Sequence, residues 1–450
     1  MEQLLHYCWK HKLFPLQALR TTDGQPVEVI DTGLHNRHAG PDFFNAKLKI
    51  NGTLWVGNIE IHIKASDWYL HGHHKDHAYD NVILHVASII DAVVTTANGR
   101  TLPQMSLAVP TEVKEHYEEL LTIDSYPPCY QVIPQLSQLI VHSWTSALQT
   151  ERLEQKTSAI TERVKRCNGD WERAYFITLA RNFGFGINGD TFEQWAFNIP
   201  IRAVDHHRDN LFQIEAIFLG QAGLLDLTTI PERYQQDALT EGYFTRLHQE
   251  YTYLRHKFSL QPMDATMWKF LRLRPQNFPH IRIVQLAHLY YQKKAGLRQL
   301  IDCETIEDIR DLLDTNVTPY WETHYTFGST SCKTEKNLSP KTQDLLMINT
   351  VVPILFAYGR THGKEGLCDR AFDILEKIKP ENNYIVRMWQ MCGLIVTCAG
   401  DSQALIQLKK EYCDKKDCLR CRFGYEYLKK MGIDGAPPHP PRKGGRCIGT

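Results

Sequence analysis

The chain has 450 residues, 43% hydrophobic and 23% charged, and its basic and acidic side chains balance to a net charge of zero. That length holds two or three domains with a sizeable core, and the zero balance excludes a global field pulling the chain toward nucleic acid or membrane, leaving only local patches for that purpose. No apolar run is long enough to span a membrane, and the N-terminal "MEQLLHYCWKHKLFPLQAL" has neither the apolar segment nor the cleavage site of a secretory signal, so a cytoplasmic location without a membrane partner is expected.

In chain order, residues 2–14 predict a short helix with Leu4, Leu5, Tyr7, Cys8 and Trp9 as its apolar positions. From Val27 to about Leu107 the signals are those of strands: "PVEVI", "FNAKLKI", "TLWVGNIEIHI" and "NVILHVA" are rich in β-formers or alternate with period two. Asn51-Gly52 and "NGR" at 98–100 are turn signals. "SYPPCYQVIP" at 125–134 is a Pro-rich break, after which the helical period takes over. "THYTFGSTSCKTEKNLSPKTQ" at 323–343 is polar and reads as a linker or long loop, further helices run to about Leu428, and "GAPPHPPRKGGRCIGT" reads as a mobile tail. The fold class is therefore α+β, a mixed N-terminal sheet followed by a mostly helical body. The expected divisions are 1–125, 126–325, 340–430 with a cysteine cluster, and a tail at 431–450.

The chemistry concentrates in residues 40–86. If "NIEIHIK" is a strand, Glu60, His62 and Lys64 share one face while Ile59, Ile61 and Ile63 share the other. An acid, an imidazole and an amine in a row are costly to bury without partners. Eighteen residues upstream, Asp42 in "GPDF" opens the preceding strand. An acid at a strand's start, a hairpin, then acid-x-base resembles the PD-(D/E)XK nuclease core over roughly residues 26–107. That resemblance implies Asp42 and Glu60 as ligands for Mg²⁺ or Mn²⁺, with a base beside them positioning the water. His62 stands where the family usually has lysine, and Lys64 lies two further along the same face. A strict two-residue turn at Asn51-Gly52 would set Asp42 opposite Ile61, on the wrong face. The reading therefore expects a bulge or a three-residue loop, 51–53, the latter bringing Asp42 opposite His62.

Ten of the 21 histidines lie in the first 85 residues. "SDWYLHGHHKDHAYDNVILHV" supplies His71, His73, His74, His77 and His85 among Asp67, Asp76 and Asp80; imidazoles with carboxylates suit Zn²⁺, Mn²⁺ or Fe²⁺ better than a pure Mg²⁺ site. His71 and His85 are read as additional metal ligands, His85 facing the same way as Ile83, although loop histidines are as readily a solvated decoration. Arg37 in "HNRHAG" is placed to contact a phosphate or simply to form a surface ion pair.

The chain has twelve cysteines, read as thiols or metal ligands rather than a disulfide framework. Cys413, Cys418 and Cys421 are spaced C-x4-C-x2-C, and three thiols in nine residues can converge on Zn²⁺ or an iron–sulfur cluster if a fourth ligand is found. Cys398 is the expected fourth, with Cys392 and Cys8 as other choices. Some nucleases of the family named above complete such a triplet with a distant cysteine. In the helical middle, Arg272 and Arg274 beside Phe278 suit a nucleic-acid backbone, or a domain interface equally well. Over nearly its full length the chain also resembles a bacterial family built on a domain of unknown function, through "GPDFFNAKL", "GNIEIHIKASDW", "YDNVILHV", "RLRPQNFP" and "YCDKKDCLRC"; that resemblance implies no activity.

Three functions remain open at this level: a divalent-metal nuclease using Asp42, Glu60, His62 and Lys64; a zinc- or manganese-dependent hydrolase of small molecules using the histidines; and a non-catalytic scaffold binding nucleic acid or protein.

Overall fold

The computed structural model describes residues 1–14, 19–36, 38–123 and 127–429. These form a mixed α+β protein of two compact units. The first contains Met1–Trp144, Asn383–Ile395 and the chain from Ile406 onward; the second contains Thr145–Asn382 and Val396–Leu405. The cysteine run at 413–421 is therefore carried by the unit that holds the sheet. Arg37 and the tail from residue 430 lie outside the described residues.

In the first unit, helix α1 (Glu2–Lys10) precedes β1 (Val27–Asp31), the two-residue β2 (Leu34–His35), β3 (Phe43–Ile50) and β4 (Thr53–Lys64). Two 3₁₀ turns and a short helix, α2 (Asp67–Leu70), lead to β5 (Val82–Ile89), and β6 (Gln104–Ser106) follows. Among the described residues the sheet runs β1-β3-β4-β5-β6, with β2 also on β3. The meander β1-β3-β4 is antiparallel, while β5 and β6 add parallel to it. Leu5 and Trp9 of α1 cover Phe43, Leu48, Ile59, Ile61 and Val86 on one face of this sheet. The other face packs Ala65, Trp68, Tyr79, Val82, Ala87 and Val94.

Two irregularities set which residues share a face. The β3–β4 turn is the strict two-residue kind: Ile50 pairs with Thr53, and Asn51 and Gly52 both take positive φ, 48° and 79°. A three-residue loop is not formed. Instead β3 carries an extra residue between Phe43 and Ala46, where Asn45 adopts φ 56° and its N–H donates to Asn58 Oδ1. Past this bulge Phe43 pairs with Ile59, so Asp42 arrives beside Glu60 rather than Ile61 or His62.

The second irregularity is in β5. Val82 pairs with Asn58 but Leu84 pairs with Ile59, so Ile83 is the extra residue. Ile83 turns to the α1 side, resting on Gly57, where a Cβ would lie 2.3 Å from its Cγ2. Simple alternation put His85 on the side of Ile83. The bulge puts it with Ala87, opposite Glu60 in the register.

The second unit is helical. Two of its helices, Leu211–Gln221 and Pro279–Tyr291, are buried nearly all round, and they bury the polar Glu215, Gln221, His280, Arg282 and Gln285 among their apolar side chains. The close packing expected around "FLGQAGLL" is present: the Tyr251 ring occupies the space a Cβ on Gly220 would need. The 323–343 stretch packs within this unit, with Phe327 and Leu338 in its core, and becomes helical at Pro340. Glu215 is fully buried, its carboxylate accepting from the Tyr243 and Thr318 hydroxyls, and burial pushes its pKa up to about 7.

Candidate metal centre

The face of β4 that points away from α1 carries Glu60 and His62, and the neighbouring parallel strand adds His85 directly beside them. All three are buried. Above them, α2 ends at His71, Gly72 takes a left-handed φ of 77°, and His73 opens the next 3₁₀ turn. That glycine conformation reverses the chain so that two histidines separated by one residue both reach the strand.

The result is a convergence of ligand atoms. One ring nitrogen each from His62, His71 and His73 lies within 4.8 Å of the others. His62 Nε2 stands 3.1 Å from His71 Nδ1 and 3.6 Å from Glu60 Oε1, and His73 Nε2 stands 3.2 Å from Glu60 Oε1. A tetrahedral ion with ligands at about 2.0–2.1 Å has edges of about 3.3 Å, and these separations bracket that value. His73 Nε2 is moreover buried without a hydrogen bond. Buried polar atoms are rarely left so, and an ion shared with Glu60 and His62 would satisfy it.

The electrostatics agree. Burial first, then the neighbouring His85, His73 and His71 rings, push His62 down to about 2, so its imidazole is neutral with a lone pair to give. Burial likewise lowers His73, and takes His85 down to about 4. Burial, with the adjacent Asp42 carboxylate second, raises Glu60 to about 9. A buried carboxyl beside the neutral imidazoles of His62 and His73 lacks a cation there, and a divalent ion would supply it.

His85 stands behind the cluster rather than in it. Its Nε2 lies 2.9 Å from His62 Nδ1, and the Gln104 amide lies 3.4 Å from its Nδ1. This is the position of a group that fixes a ligand's ring and tautomer. Asp42 sits alongside. Its N–H donates to Glu60 Oε2, while its own Oδ2 accepts from the Ile61 N–H and lies 3.3 Å from His6 Nε2. Burial lowers the pKa of His6, but the hydrogen bond to Asp42, the Asp42 charge and the Ile61 carbonyl together outweigh it and the net shift is upward. Lys64 is exposed at the end of β4, where its charge acts on Asp91, and it does not join the cluster.

His6 was not singled out from the sequence; a lone histidine on an amphipathic helix carries no signal. His73 was visible in "HGHH", but nothing local ranked it with His62 and His71 and above His85.

Asp42 and His6 also line a cleft of about 730 Å³ whose far wall is the segment Lys415–Arg420. Lys10, Lys415, Lys416 and Arg420 border it, against Glu2 and Asp417. The cysteine run thus forms part of this wall. Cys418 and Cys421 bracket a 3₁₀ turn whose Cys421 N–H donates to the Cys418 carbonyl. The Cys421 sulfur faces the backbone N–H groups of Phe423 and Gly424. Cys129 is buried, and its ionisation is opposed first by burial and then by Cys421, Cys413 and Cys418; among the described residues, however, the group of potential ligand atoms that converges within 4.8 Å is His62, His71 and His73, not the cysteines. Cys398 is carried by the second unit, and the Cys8 and Cys392 thiols answer to burial alone. Arg272 and Arg274 are exposed residues of the second unit.

A mixed sheet that buries imidazoles and carboxylates beside a cleft defines an α+β protein with a candidate metal centre. By sequence the chain belongs to the family described as Protein of unknown function (DUF2851), whose profile matches residues 2–384. No curated protein and no solved structure matches it. No described helix is long and apolar enough to cross a membrane.

Proposed function

We propose that the first unit is a divalent-metal-dependent hydrolase that cleaves phosphodiester bonds of nucleic acid. The observation that carries this reading is the convergence of His62, His71 and His73 within the spacing of a single coordination sphere, with Glu60 Oε1 3.2 Å from His73 and 3.6 Å from His62, beside a cleft bordered by cationic side chains. Three imidazoles with one carboxylate suit Zn²⁺ or Mn²⁺ better than Mg²⁺. Such an ion lowers the pKa of a bound water and offsets charge on a phosphoryl oxygen.

Asp42 and His6 are the groups placed to move a proton at the cleft, since they are bonded to each other and both line it. Lys10, Lys415, Lys416 and Arg420 would hold the phosphate backbone. The likeness to the PD-(D/E)XK core supports the reading through Asp42 at the head of β3 and Glu60-x-His62 on β4, in adjacent register. It departs from that core in drawing its metal ligands chiefly from histidines.

The same reading gives the cysteines a supporting part. Cys129, Cys413, Cys418 and Cys421 would form a closed four-thiolate site for Zn²⁺ or an iron–sulfur cluster, bracing the loop that carries Lys415, Lys416 and Arg420.

The test is cleavage of labelled single- and double-stranded DNA and RNA by anaerobically purified protein with Mn²⁺, Zn²⁺ or Mg²⁺. Cutting that requires Mn²⁺ or Zn²⁺, and that disappears in Asp42→Asn and His73→Ala, is the expected result. Metal bound at His62, His71 and His73 with no cutting of any nucleic acid would refute the substrate and leave a metal-dependent hydrolase of small molecules, the reading the histidine cluster favours next.

A further inference from the structure

The second unit contains a buried guanidinium without a counter-ion. Arg282 lies in the helix Pro279–Tyr291 and is 6% exposed. Its two terminal nitrogens donate to the side-chain carbonyls of Gln285 and Asn277, both neutral, and its plane rests 4.5 Å above the Phe185 ring. Its Nε–H has no partner. Burial alone pulls the group down to about 10, and no carboxylate acts on it. Burying an unpaired charge costs several kcal/mol, so buried charges are normally found with partners.

Arg282 borders a cleft of about 330 Å³ whose rim carries the exposed Arg274 and Lys341. Lys336 also lines it, as do the Ser339 and Thr342 side chains, whose hydroxyls lie 2.9 Å apart. Among the described residues lining this cleft there is neither aspartate nor glutamate. Cations, hydroxyls and amides around a small concavity, with one preoriented guanidinium at the floor, make a site for an anion with several oxygens.

We propose that this cleft binds a phosphate group, with Arg282 as its buried anchor and Arg274 and Lys341 closing over it. Three of the five guanidinium N–H donors of Arg282 remain after the bonds to Gln285 and Asn277, and phosphate oxygens are the acceptors that match their fork. The volume accommodates a phosphate with a small attached group rather than a helical duplex. The phosphate can belong to a small phosphorylated molecule or to the 5′ end of an oligonucleotide; both offer the same dianionic head.

The experiment uses the full chain in EDTA, so that no metal-held phosphate contributes. Binding of inorganic phosphate, AMP, and a matched pair of oligonucleotides with and without a 5′-phosphate is followed by calorimetry at constant ionic strength. One phosphate per chain is expected, with affinity falling at least tenfold in the rim double variant Arg274→Ser/Lys341→Ser, whose residues are exposed and spare the core. Arg282→Met should fold, and should lose the rise in Tm that phosphate gives the wild type. Preference for the 5′-phosphorylated strand over AMP assigns the phosphate to nucleic acid, and the reverse assigns it to a small molecule. Equal Tm shifts with phosphate and chloride, or wild-type phosphate binding in the rim variant, would overturn the proposal.

Discussion

His85 discriminates between a coordination sphere and a chance gathering of histidines. It is fully buried, its Nε2 lies 2.9 Å from His62 Nδ1, and it contributes no atom to the group formed by His62, His71 and His73. Replacing it with alanine leaves His62 Nδ1 buried without a partner and frees the ring to turn its Nε2 away from Glu60. Groups in this supporting position are typically worth 10–100-fold in metal affinity, which is about 1.4–2.7 kcal/mol. His73→Ala instead removes a ligand outright and should lose tight binding altogether. The assay is competition for Zn²⁺ against a chelator of known affinity, on variants shown by circular dichroism to be folded. The cavity left by His85→Ala weakens apo and metal-bound forms alike, so the gain in Tm on adding zinc is the second readout. Affinities should rank wild type, then His85→Ala, then His73→Ala. If His85→Ala binds zinc like the wild type, or if His73→Ala does, the geometric argument for the centre fails. If His85→Ala loses binding as completely as His73→Ala, His85 is itself a ligand and the supporting role is refuted.

Three further expectations rest on other parts of the molecule. Glu215 titrates near 7 in the folded protein against an ordinary value of 4.5. Its contribution to stability is therefore fully present below pH 4.5 and lost as the pH rises through 7, about 3 kcal/mol in all; urea titrations of Glu215→Gln between pH 5 and 8 should lack that slope. Gly57→Ala places a Cβ 2.3 Å from Ile83 Cγ2 and 2.8 Å from the Asn81 carbonyl, and should cost about 1–3 kcal/mol in the same assay. Cys129→Ser should purify without the metal or cluster that elemental analysis finds in the wild type, whereas Cys398→Ser should retain it; the opposite pattern would return Cys398 to the site.

The parts of this structure that could be read from the sequence are those governed by local periodicity. The alternation in "NIEIHIK" set Glu60 and His62 on one face and Ile59 and Ile61 on the other, and the strands of the sheet lie where β-formers cluster. The parts that could not are those where one extra residue or one distant contact decides. Asn45 adopts φ 56° in a strand, which asparagine tolerates but does not advertise. Ile83 looks like any other member of "NVILHV" until Gly57 is seen to leave room for it. Cys129, the proposed fourth thiol, lies in a Pro-rich break nearly three hundred residues before Cys413, Cys418 and Cys421, and no spacing rule links them. The expectation of Cys398 followed chain proximity, and that residue is carried by the second unit, in the segment Val396–Leu405.

The bulge at Phe44 and Asn45 makes the length of β3 matter more than much of its composition. Between Asp42 and the Asn51-Gly52 turn, Asn45 is held by its positive φ, whereas the outward positions Lys47 and Lys49 are exposed and tolerate exchange. The number of residues does not. Deleting one between the bulge and the turn, with the bulge kept, would carry Asp42 from Glu60 to face Ile59 and exchange what each side chain upstream meets on β4, whereas deleting the bulge's own extra residue would straighten the strand and leave Asp42 beside Glu60. Relatives of this chain that keep the chemistry should accordingly vary at Lys47 and Lys49 while holding the residue count between the bulge and the turn constant, and a one-residue gap there, with the bulge kept, marks a relative that has given the site up.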